Sequence, residues 1–399
     1  MNKSLNVRNK YLVTGVIAML LAGVIYAWSI LKAPLGEEFG WGPADLALNF
    51  TMTMCCFCLG GFIGGKLAGR IGVRLALIMG GVCAGCGFMA TSMLKGSLAH
   101  LYLAYGVLAG LGIGICYVVI ISTISAWFPD KKGLCSGFLM MGFGASTLII
   151  GKFASAAMDA LGWRSIYMAL GILLLIVLIM TGMIIRLPDG NVMLPDSKKK
   201  TSSNESAKDF TTREMMRRSS FWRAFICIVF LAAVGNTVIS FAKDLAISLG
   251  AADSLSTSLV GLLSIANGLG RIITGIIFDK MGRKKSMVIA NLVTIAAAVM
   301  LLVSVSTGSL VIGVAGLFVT GLSYGACPTF TSVVTSSFYG TKHFSSNFSV
   351  MNFNLMFASL IASLANVILE SSSGYTAPFI LLVILSVIAL ALNVSIRRP

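Results

Sequence analysis

Long apolar runs separated by short polar segments make up nearly the whole chain. Each run holds about 20 residues or more, which as an α-helix crosses the roughly 30 Å apolar core of a bilayer. The runs, numbered spans one to twelve, are 12–31, 45–65, 73–93, 100–126, 133–158, 164–185, 221–248, 255–277, 286–305, 309–335, 345–369 and 375–396. The pattern predicts an all-α membrane protein with 12 transmembrane helices in two pseudo-symmetric six-helix bundles. We expect bundles at 1–186 and 221–399, joined by a polar linker at 187–220.

Composition supports a membrane protein and argues against a soluble domain. Hydrophobic residues make up 57% of the 399 residues and charged residues only 11%, whereas soluble proteins carry about 25% charged residues. The net charge of +16 does not indicate nucleic-acid binding, because 24 of the 30 Lys and Arg residues occupy alternate loops and the termini. This asymmetry follows the positive-inside rule. It predicts a multi-pass protein of the plasma membrane with both termini and the linker cytoplasmic.

Groups that could carry catalysis or bind a metal are few. All nine cysteines lie in or at the edges of apolar spans, where small buried side chains are expected. Cys83 and Cys86 form a C-x-x-C, but no histidine or carboxylate stands near them. The two histidines, His100 and His343, lie near loop ends and far apart in the chain. We therefore expect no metal site, no cofactor and no enzymatic activity.

Two pairs of segments repeat at nearly the same offset. The segment 65–74, GKLAGRIGVR, follows span two, and 275–284, GIIFDKMGRK, follows span eight. In span four the segment 108–114, LAGLGIG, recurs as VTGLSYG at 319–325 in span ten. The matches indicate an internal duplication of six spans, typical of transporters with a substrate site between their repeats. The glycines in these spans predict close helix packing.

The segment after span eight carries a motif. Gly275, Asp279, Gly282 and Arg283 occupy the fixed places of the pattern GxxxD(R/K)xGR(R/K). This pattern resembles the signature of the major facilitator superfamily. The resemblance implies that Asp279 and Arg283 help to close the cytoplasmic face of the transporter.

The earlier copy of the motif departs from the pattern. It keeps the basic residues Arg70 and Arg74, but Gly69 stands where the family has an aspartate. In the family that carboxylate helps to lock the cytoplasmic face closed. The N-terminal half of the gate is therefore expected to be incomplete in this chain.

Within the superfamily the chain resembles the oxalate/formate antiporter family and the neighbouring monocarboxylate transporters. Four stretches of the N-terminal half carry the resemblance: Tyr26-Ala-Trp28-Ser-Ile with Pro34-Leu35 and Gly40-Trp41, Trp127-Phe-Pro129-Asp-Lys-Lys132-Gly-Leu, Gly142-Phe-Gly144, and Gly162-Trp163-Arg164. In the C-terminal half, Arg271 occupies the place of an arginine that contacts the substrate carboxylate in the family. Oxalate-transporting members also carry a lysine in span eleven, and 345–369 contains none. One cation neutralises one carboxylate, so this departure favours a monocarboxylate.

An arginine inside an apolar span costs roughly 2.5–3.5 kcal/mol on insertion scales, so it is expected to face a cavity or an anion. No carboxylate lies at the depth of Arg271 in the spans, which leaves the substrate as its partner. Residues expected at a similar depth complete the predicted substrate site, which comprises Arg271, Asn267, Tyr117, Tyr324, Tyr26 and Asn354. Packing against neighbouring helices is the alternative role for Tyr117 and Tyr324.

Together these features predict a monomeric secondary active transporter of a small monocarboxylate of the lactate, pyruvate or formate type. Its partners would be a small organic anion, protons or a counter-anion, and the lipid bilayer. In many monocarboxylate transporters an acid one turn before the arginine carries the proton, and Asn267 stands there instead. Proton symport and anion exchange therefore both stay open. The alternatives are a dicarboxylate antiporter of the oxalate/formate type and a carboxylate sensor that does not transport.

Overall fold

Helices form almost all of the regular structure in the computed structural model of the chain, which describes residues 2–188, 209–372 and 374–397. No strand occurs among those residues. Eleven helices there are long and apolar enough to cross a membrane. The longest, Asp253–Thr307, is interrupted at Gly282, where φ is 72° and ψ is 178°. Because this backbone conformation ends a helix and favours glycine, spans eight and nine lie on either side of Gly282, and the predicted twelve spans are confirmed.

The helices follow the predicted order, with irregular turns in several spans. Spans one to six comprise Asn2–Ala22 with the 3₁₀ turn Gly23–Ala27, Pro43–Ile71, Val73–Ser92, Leu98–Ser125, Lys132–Ser146 with Thr147–Gly151 and Lys152–Leu161, and Trp163–Ile184. Short helices Trp28–Leu31 and Ala33–Phe39 follow span one. Spans seven to twelve comprise Ser219–Ser248, the two parts of Asp253–Thr307, Leu310–Tyr339, Phe344–Asn352 with Asn354–Ser372, and Thr376–Ser395. Span one therefore ends earlier than predicted, because its last turn tightens into a 3₁₀ helix.

The chain folds as two units. Unit 1 comprises residues 1–131 and 142–202, and unit 2 comprises residues 132–141 and 203–399. The beginning of span five therefore packs with the spans of the C-terminal half. Of the predicted linker, 187–220, residues 189–208 lie outside the described part of the chain.

The core of unit 1 contains a group of buried aromatic rings. The rings of Trp28 and Tyr105 have their centroids 4.6 Å apart, and Phe88 lies 5.1 Å from Tyr105. Tyr167 of span six joins the group and donates a hydrogen bond from its hydroxyl to the Leu31 carbonyl at 3.1 Å. These contacts join the short helix Trp28–Leu31 to spans three, four and six.

A carboxylate also holds the start of span six. Arg164 donates to both carboxylate oxygens of Glu38, at 3.0 and 2.6 Å, and the Trp163 indole donates to Oε2 at 2.6 Å. The hydrogen bond from Arg164, followed by that from Trp163, lowers the pKa of the Glu38 carboxyl. The Trp163-Arg164 pair of the family-like stretch thus fixes the helix Ala33–Phe39 to span six.

Spans two and four approach closely through glycines. A Cβ atom at Gly60 would lie 2.8 Å from the Cα of Leu111, and one at Gly114 would clash with the carbonyl of Phe57. The backbones of the two helices are therefore in direct contact, as small-residue packing in membranes requires. The close packing predicted for these glycines is confirmed.

In unit 2, apolar side chains form two buried clusters. One surrounds Phe221 and Phe330, and the other surrounds Phe241 and Phe379. Phe210 belongs to the first cluster, and its N–H donates to the Tyr339 carbonyl at 3.0 Å. The segment that leads into span seven is therefore anchored in the core of unit 2 and continues into the short helix Thr212–Met216.

Two alanine substitutions on the same helix test the packing of spans two and four. We expect Gly60→Ala to destabilise the protein by about 1–3 kcal/mol, because the added methyl overlaps the backbone at Leu111. Gly69→Ala is the matched control, since a Cβ there meets nothing within 4 Å. The measurement is thermal unfolding of the purified variants in detergent. Equal melting temperatures for the two variants would contradict the packing described here.

Candidate functional site

Arg271 is buried inside span eight, with 6% of its surface exposed. Its Nε donates to Oδ1 of Asn267 at 3.3 Å, and its Nη1 donates to the main-chain carbonyl of Met140 in span five. Both acceptors are neutral. The two ion pairs among the described residues lie in unit 1 and do not involve Arg271. The guanidinium is thus solvated by protein dipoles and keeps a full charge that a carboxylate can neutralise.

Two neighbouring helices, spans five and ten, fix the backbone of Arg271 in span eight. A Cβ atom at Gly137 of span five would lie 2.7 Å from the Arg271 carbonyl oxygen, and one at Gly325 of span ten would lie 2.8 Å from its nitrogen. Thr329 of span ten donates from Oγ1 to the same carbonyl at 3.2 Å. The Cα of Arg271 is therefore held in place, so any movement of this residue is confined to its side chain.

The other two candidate residues in spans eight and ten are Asn267 and Tyr324, and the structure gives them different contacts. Asn267 is half-buried and supplies the oxygen that orients the Arg271 guanidinium. Tyr324 is half-buried, and its ring packs directly on Gly235 of span seven, where any side chain would clash with it. The structure thus brings Asn267 to Arg271 and gives Tyr324 a packing contact with span seven.

Asn354 lies at a break in span eleven. Its side chain is 1% exposed, and its Nδ2 donates to Thr331 Oγ1 at 3.1 Å and to the Met351 carbonyl. The second of these bonds satisfies a carbonyl at the end of Phe344–Asn352. Both amide protons are therefore used within unit 2, so only the side-chain oxygen of Asn354 remains for a ligand in this conformation.

The two candidates of unit 1 share one aromatic cluster. The ring centroids of Tyr26 and Tyr117 lie 5.2 and 4.9 Å from that of Phe143. Phe57 also packs on Tyr117, at 5.0 Å. Tyr117 is buried and Tyr26 is half-buried. Sequence reasoning missed Phe57 and Phe143, although Phe143 belongs to the family-like stretch Gly142-Phe-Gly144.

Asp279 caps the first turn of span five. Its two carboxylate oxygens accept hydrogen bonds from the main-chain N–H groups of Gly133 and Leu134, each at 2.9 Å. These N–H groups have no partner within the helix, and a negative charge at a helix N-terminus is stabilising. Gly275, one turn earlier, contacts Gly133 so closely that a Cβ on either would overlap the backbone of the other. The motif therefore ties the start of span five to span eight.

Arg283 contacts a different helix. Its Nη2 donates to the Ile396 carbonyl at 3.2 Å, just after span twelve, and its guanidinium lies 4.9 Å from the centroid of the Phe338 ring. A cation at a helix C-terminus is favourable. In the earlier copy of the motif, Arg70 and Arg74 are exposed. Of the motif residues, Asp279 and Gly275 thus hold span five, whereas Arg283 holds span twelve.

The groups that sequence reasoning missed here are mostly main-chain atoms. The Met140 carbonyl binds the side chain of Arg271, and the N–H groups of Gly133 and Leu134 bind that of Asp279. A hydrogen bond between the hydroxyls of Ser136 and Ser332, at 2.9 Å, adds a link to span ten. The signal in the sequence was the family-like stretch beginning at Trp127, which contains both Gly133 and Leu134.

Comparisons with known proteins identify the family. A sequence model of the Major Facilitator Superfamily matches residues 12–363 and 225–399. The chain is 28% identical to the oxalate:formate antiporter of Oxalobacter formigenes over 386 residues, which cover 96% of this chain and 90% of that one. It is 26% identical to monocarboxylate transporter 12 of Mus musculus over 356 residues, or 83% and 72% of the two chains.

A solved structure agrees with the fold. The structure of the proton:xylose symporter XylE bound to 6-bromo-6-deoxy-D-glucose superposes with a TM-score of 0.73 at 14% identity, over 98% of this chain and 97% of that one. At this identity the likeness concerns the fold alone. Because the family match extends over most of the chain, the protein belongs to the Major Facilitator Superfamily and is a multi-pass membrane transporter.

Proposed function

We propose that this transporter carries a small monocarboxylate of the lactate, pyruvate or formate type across the plasma membrane by alternating access. The observation that carries the proposal is the buried guanidinium of Arg271, whose hydrogen-bond acceptors are neutral. A carboxylate bound to it accepts two parallel hydrogen bonds and neutralises the charge. The similarity to an oxalate:formate antiporter and to a monocarboxylate transporter supports a carboxylate as substrate.

The number of cations in the candidate site favours a substrate with one carboxylate over a substrate with two. Span eleven contains no lysine or arginine between 344 and 369. A dianion on Arg271 would keep one negative charge without a partner at membrane depth, which is costly. The second candidate function is exchange of a dicarboxylate, which the 28% identity to the oxalate:formate antiporter over 96% of this chain supports.

Replacing the arginine by lysine tests the substrate site. Arg271→Lys keeps the charge but loses the planar fork that holds a carboxylate at two points. Losing one charge-assisted hydrogen bond of about 1.5–3 kcal/mol predicts a rise in the apparent Michaelis constant of at least about tenfold. The measurement is uptake of radiolabelled lactate, formate and oxalate into proteoliposomes.

Lys152→Arg is the control for this experiment, because it exchanges one exposed cation of span five for another. We expect its uptake to match that of the unsubstituted protein. Arg271→Lys protein that elutes as a folded monomer and still takes up substrate normally would remove the basis of the proposal. Uptake of oxalate but of neither monocarboxylate would favour the second candidate function.

We favour exchange over proton symport as the mode of coupling. The side chain hydrogen-bonded to Arg271 is the amide of Asn267, which does not titrate, so this neighbour of the carboxylate-binding group cannot carry a proton. With no anion bound, Arg271 keeps an uncompensated charge that opposes reorientation of the empty carrier. An exchanged anion removes this barrier in both directions.

Transport assays with and without a pH gradient separate the two modes. We expect counterflow of radiolabelled substrate in proteoliposomes preloaded with unlabelled substrate to proceed at the same rate in both conditions. Uptake into empty vesicles should be slow, because the carrier cannot return without an anion. Substantial uptake into empty vesicles driven by an inward proton gradient would establish symport instead.

Asp279 provides the gate in this proposal. Its two hydrogen bonds to the first turn of span five hold that helix against span eight. Movement of the start of span five away from span eight has to break both bonds, so they stabilise the conformation described here. The loss of a helix cap of this kind costs about 0.5–2 kcal/mol.

Cys135 reports on this gate, because it is buried and directly follows Leu134. We expect Asp279→Ala to increase the rate at which a thiol reagent labels Cys135 by about two- to thirtyfold, the factor that about 0.5–2 kcal/mol gives. Peptide-level mass spectrometry separates Cys135 from the other cysteines. Asp244→Ala, at an exposed carboxylate of span seven, is the control. Unchanged labelling of Cys135 in Asp279→Ala would exclude this gate.

A further inference from the structure

An arginine-lined pocket occurs where span seven begins and span twelve ends. Its volume is about 580 Å³, and it is lined by Arg218, Ser219, Ser220, Arg223, Val394, Ser395 and Arg397. Three of the seven lining residues are arginines, and none is acidic. The pocket belongs entirely to unit 2, on the side of the membrane that the charge distribution predicts to be cytoplasmic.

Neutral groups anchor two of the three arginines of the pocket. Arg218 lies with its guanidinium carbon 5.2 Å from the centroid of the Phe210 ring, and Arg223 donates to the Ser395 carbonyl at 2.7 Å. The acidic residue nearest in sequence, Glu214, accepts hydrogen bonds from the N–H and hydroxyl of Thr211 at 2.8 and 2.9 Å. The pocket therefore concentrates positive charge with several guanidinium N–H donors, which is a strong combination for phosphate oxygens.

The start of span seven adds to this positive potential. Ser219 begins a helix of 30 residues, and the residue before it, Arg218, places no side-chain cap on the first turn. The first N–H groups of a helix lack internal acceptors, and the helix dipole places partial positive charge there. Arg283 adds a further cation beside the pocket, because its hydrogen bond goes to Ile396, between Ser395 and Arg397.

Exposed apolar side chains continue from the pocket along both helices. Trp222 and Ile226 on span seven and Val387 and Val394 on span twelve are 48%, 36%, 49% and 58% exposed. On a membrane-spanning helix, exposed apolar side chains of this kind can contact lipid acyl chains. The Trp222 indole donates to the Met216 carbonyl at 2.9 Å, as expected for a tryptophan at the membrane interface. A ligand with both a phosphate and an acyl chain matches the pocket and its apolar surroundings.

We propose that this pocket binds the phosphate of an anionic phospholipid from the cytoplasmic leaflet. Arg218, Arg223 and Arg397 surround the phosphate, and the acyl chains lie along spans seven and twelve beside Trp222 and Val394. A free phosphate would use the arginines but not the apolar surface, so the two sources of phosphate can be separated. The site does not depend on which carboxylate the protein transports.

Native mass spectrometry of the full chain in detergent tests this site. The protein is titrated with phosphatidylglycerol, with phosphatidylcholine of the same acyl chains, and with inorganic phosphate as competitor. We expect the Arg218→Gln/Arg223→Gln/Arg397→Gln variant to bind phosphatidylglycerol at least about tenfold more weakly than the unsubstituted protein. Phosphatidylcholine binding and competition by millimolar phosphate should be weak in both proteins.

The control variant, Arg213→Gln/Arg217→Gln/Lys285→Gln, removes the same number of charges from exposed neighbours outside the pocket. It should retain phosphatidylglycerol binding within about twofold. Equal losses of phosphatidylglycerol binding in both variants would show that binding depends on general surface charge rather than on the pocket, and would overturn the proposal. Full displacement of the lipid by inorganic phosphate would overturn the lipid as ligand.

A smaller change keeps the test valid if the triple variant fails to fold. Arg397→Gln alters one exposed side chain after the end of span twelve. Removing one of the cations near a lipid phosphate should weaken binding of phosphatidylglycerol about fivefold. Unchanged binding in this single variant, together with unchanged binding in Arg223→Gln, would place the lipid elsewhere.

Discussion

A full positive charge inside an apolar bundle is the constraint around which unit 2 is arranged. The Arg271 guanidinium loses water at a cost of several kcal/mol, and an oxygen of Asn267 and the carbonyl of Met140 replace part of that hydration. The carbonyl is within reach only because Gly137 lets span five approach the backbone of span eight. The hydrogen bond that solvates this cation is thus one of the contacts that hold residues 132–141 with the C-terminal spans.

The contact between spans five and eight has a charged side chain at each end. Asp279 binds the N–H groups of Gly133 and Leu134 at one end, and Arg271 binds the Met140 carbonyl at the other. A carboxylate that takes the guanidinium as its own partner competes with Met140 for the same N–H donor. In the function proposed above, substrate binding therefore weakens the hydrogen bond from Arg271 to the Met140 carbonyl, which is one of the bonds that hold span five, and this links the substrate to the proposed gate at Asp279.

The apolar pattern was enough to predict the twelve helices, because a bilayer leaves the backbone no alternative to internal hydrogen bonding. Arg271 could also be recognised in the sequence, because a charge inside an apolar span is costly. Asp279 could be recognised because it occupies a fixed place in a motif. Their partners did not, because Met140, Gly133 and Leu134 contribute main-chain atoms that every residue possesses. Arg223 and Arg397 share a pocket although 174 positions separate them, a proximity that no local pattern encodes.

The close packing at Arg271 also limits how this carrier changes over evolutionary time. Gly137 and Gly325 leave no room for a methyl group next to its backbone, so a drift in helix position would have to alter three helices together. In the function proposed above, a new substrate preference therefore arises most readily by exchanging side chains that contact the guanidinium, such as Asn267. The scaffold would be inherited nearly unchanged while ligand selectivity diversifies around it.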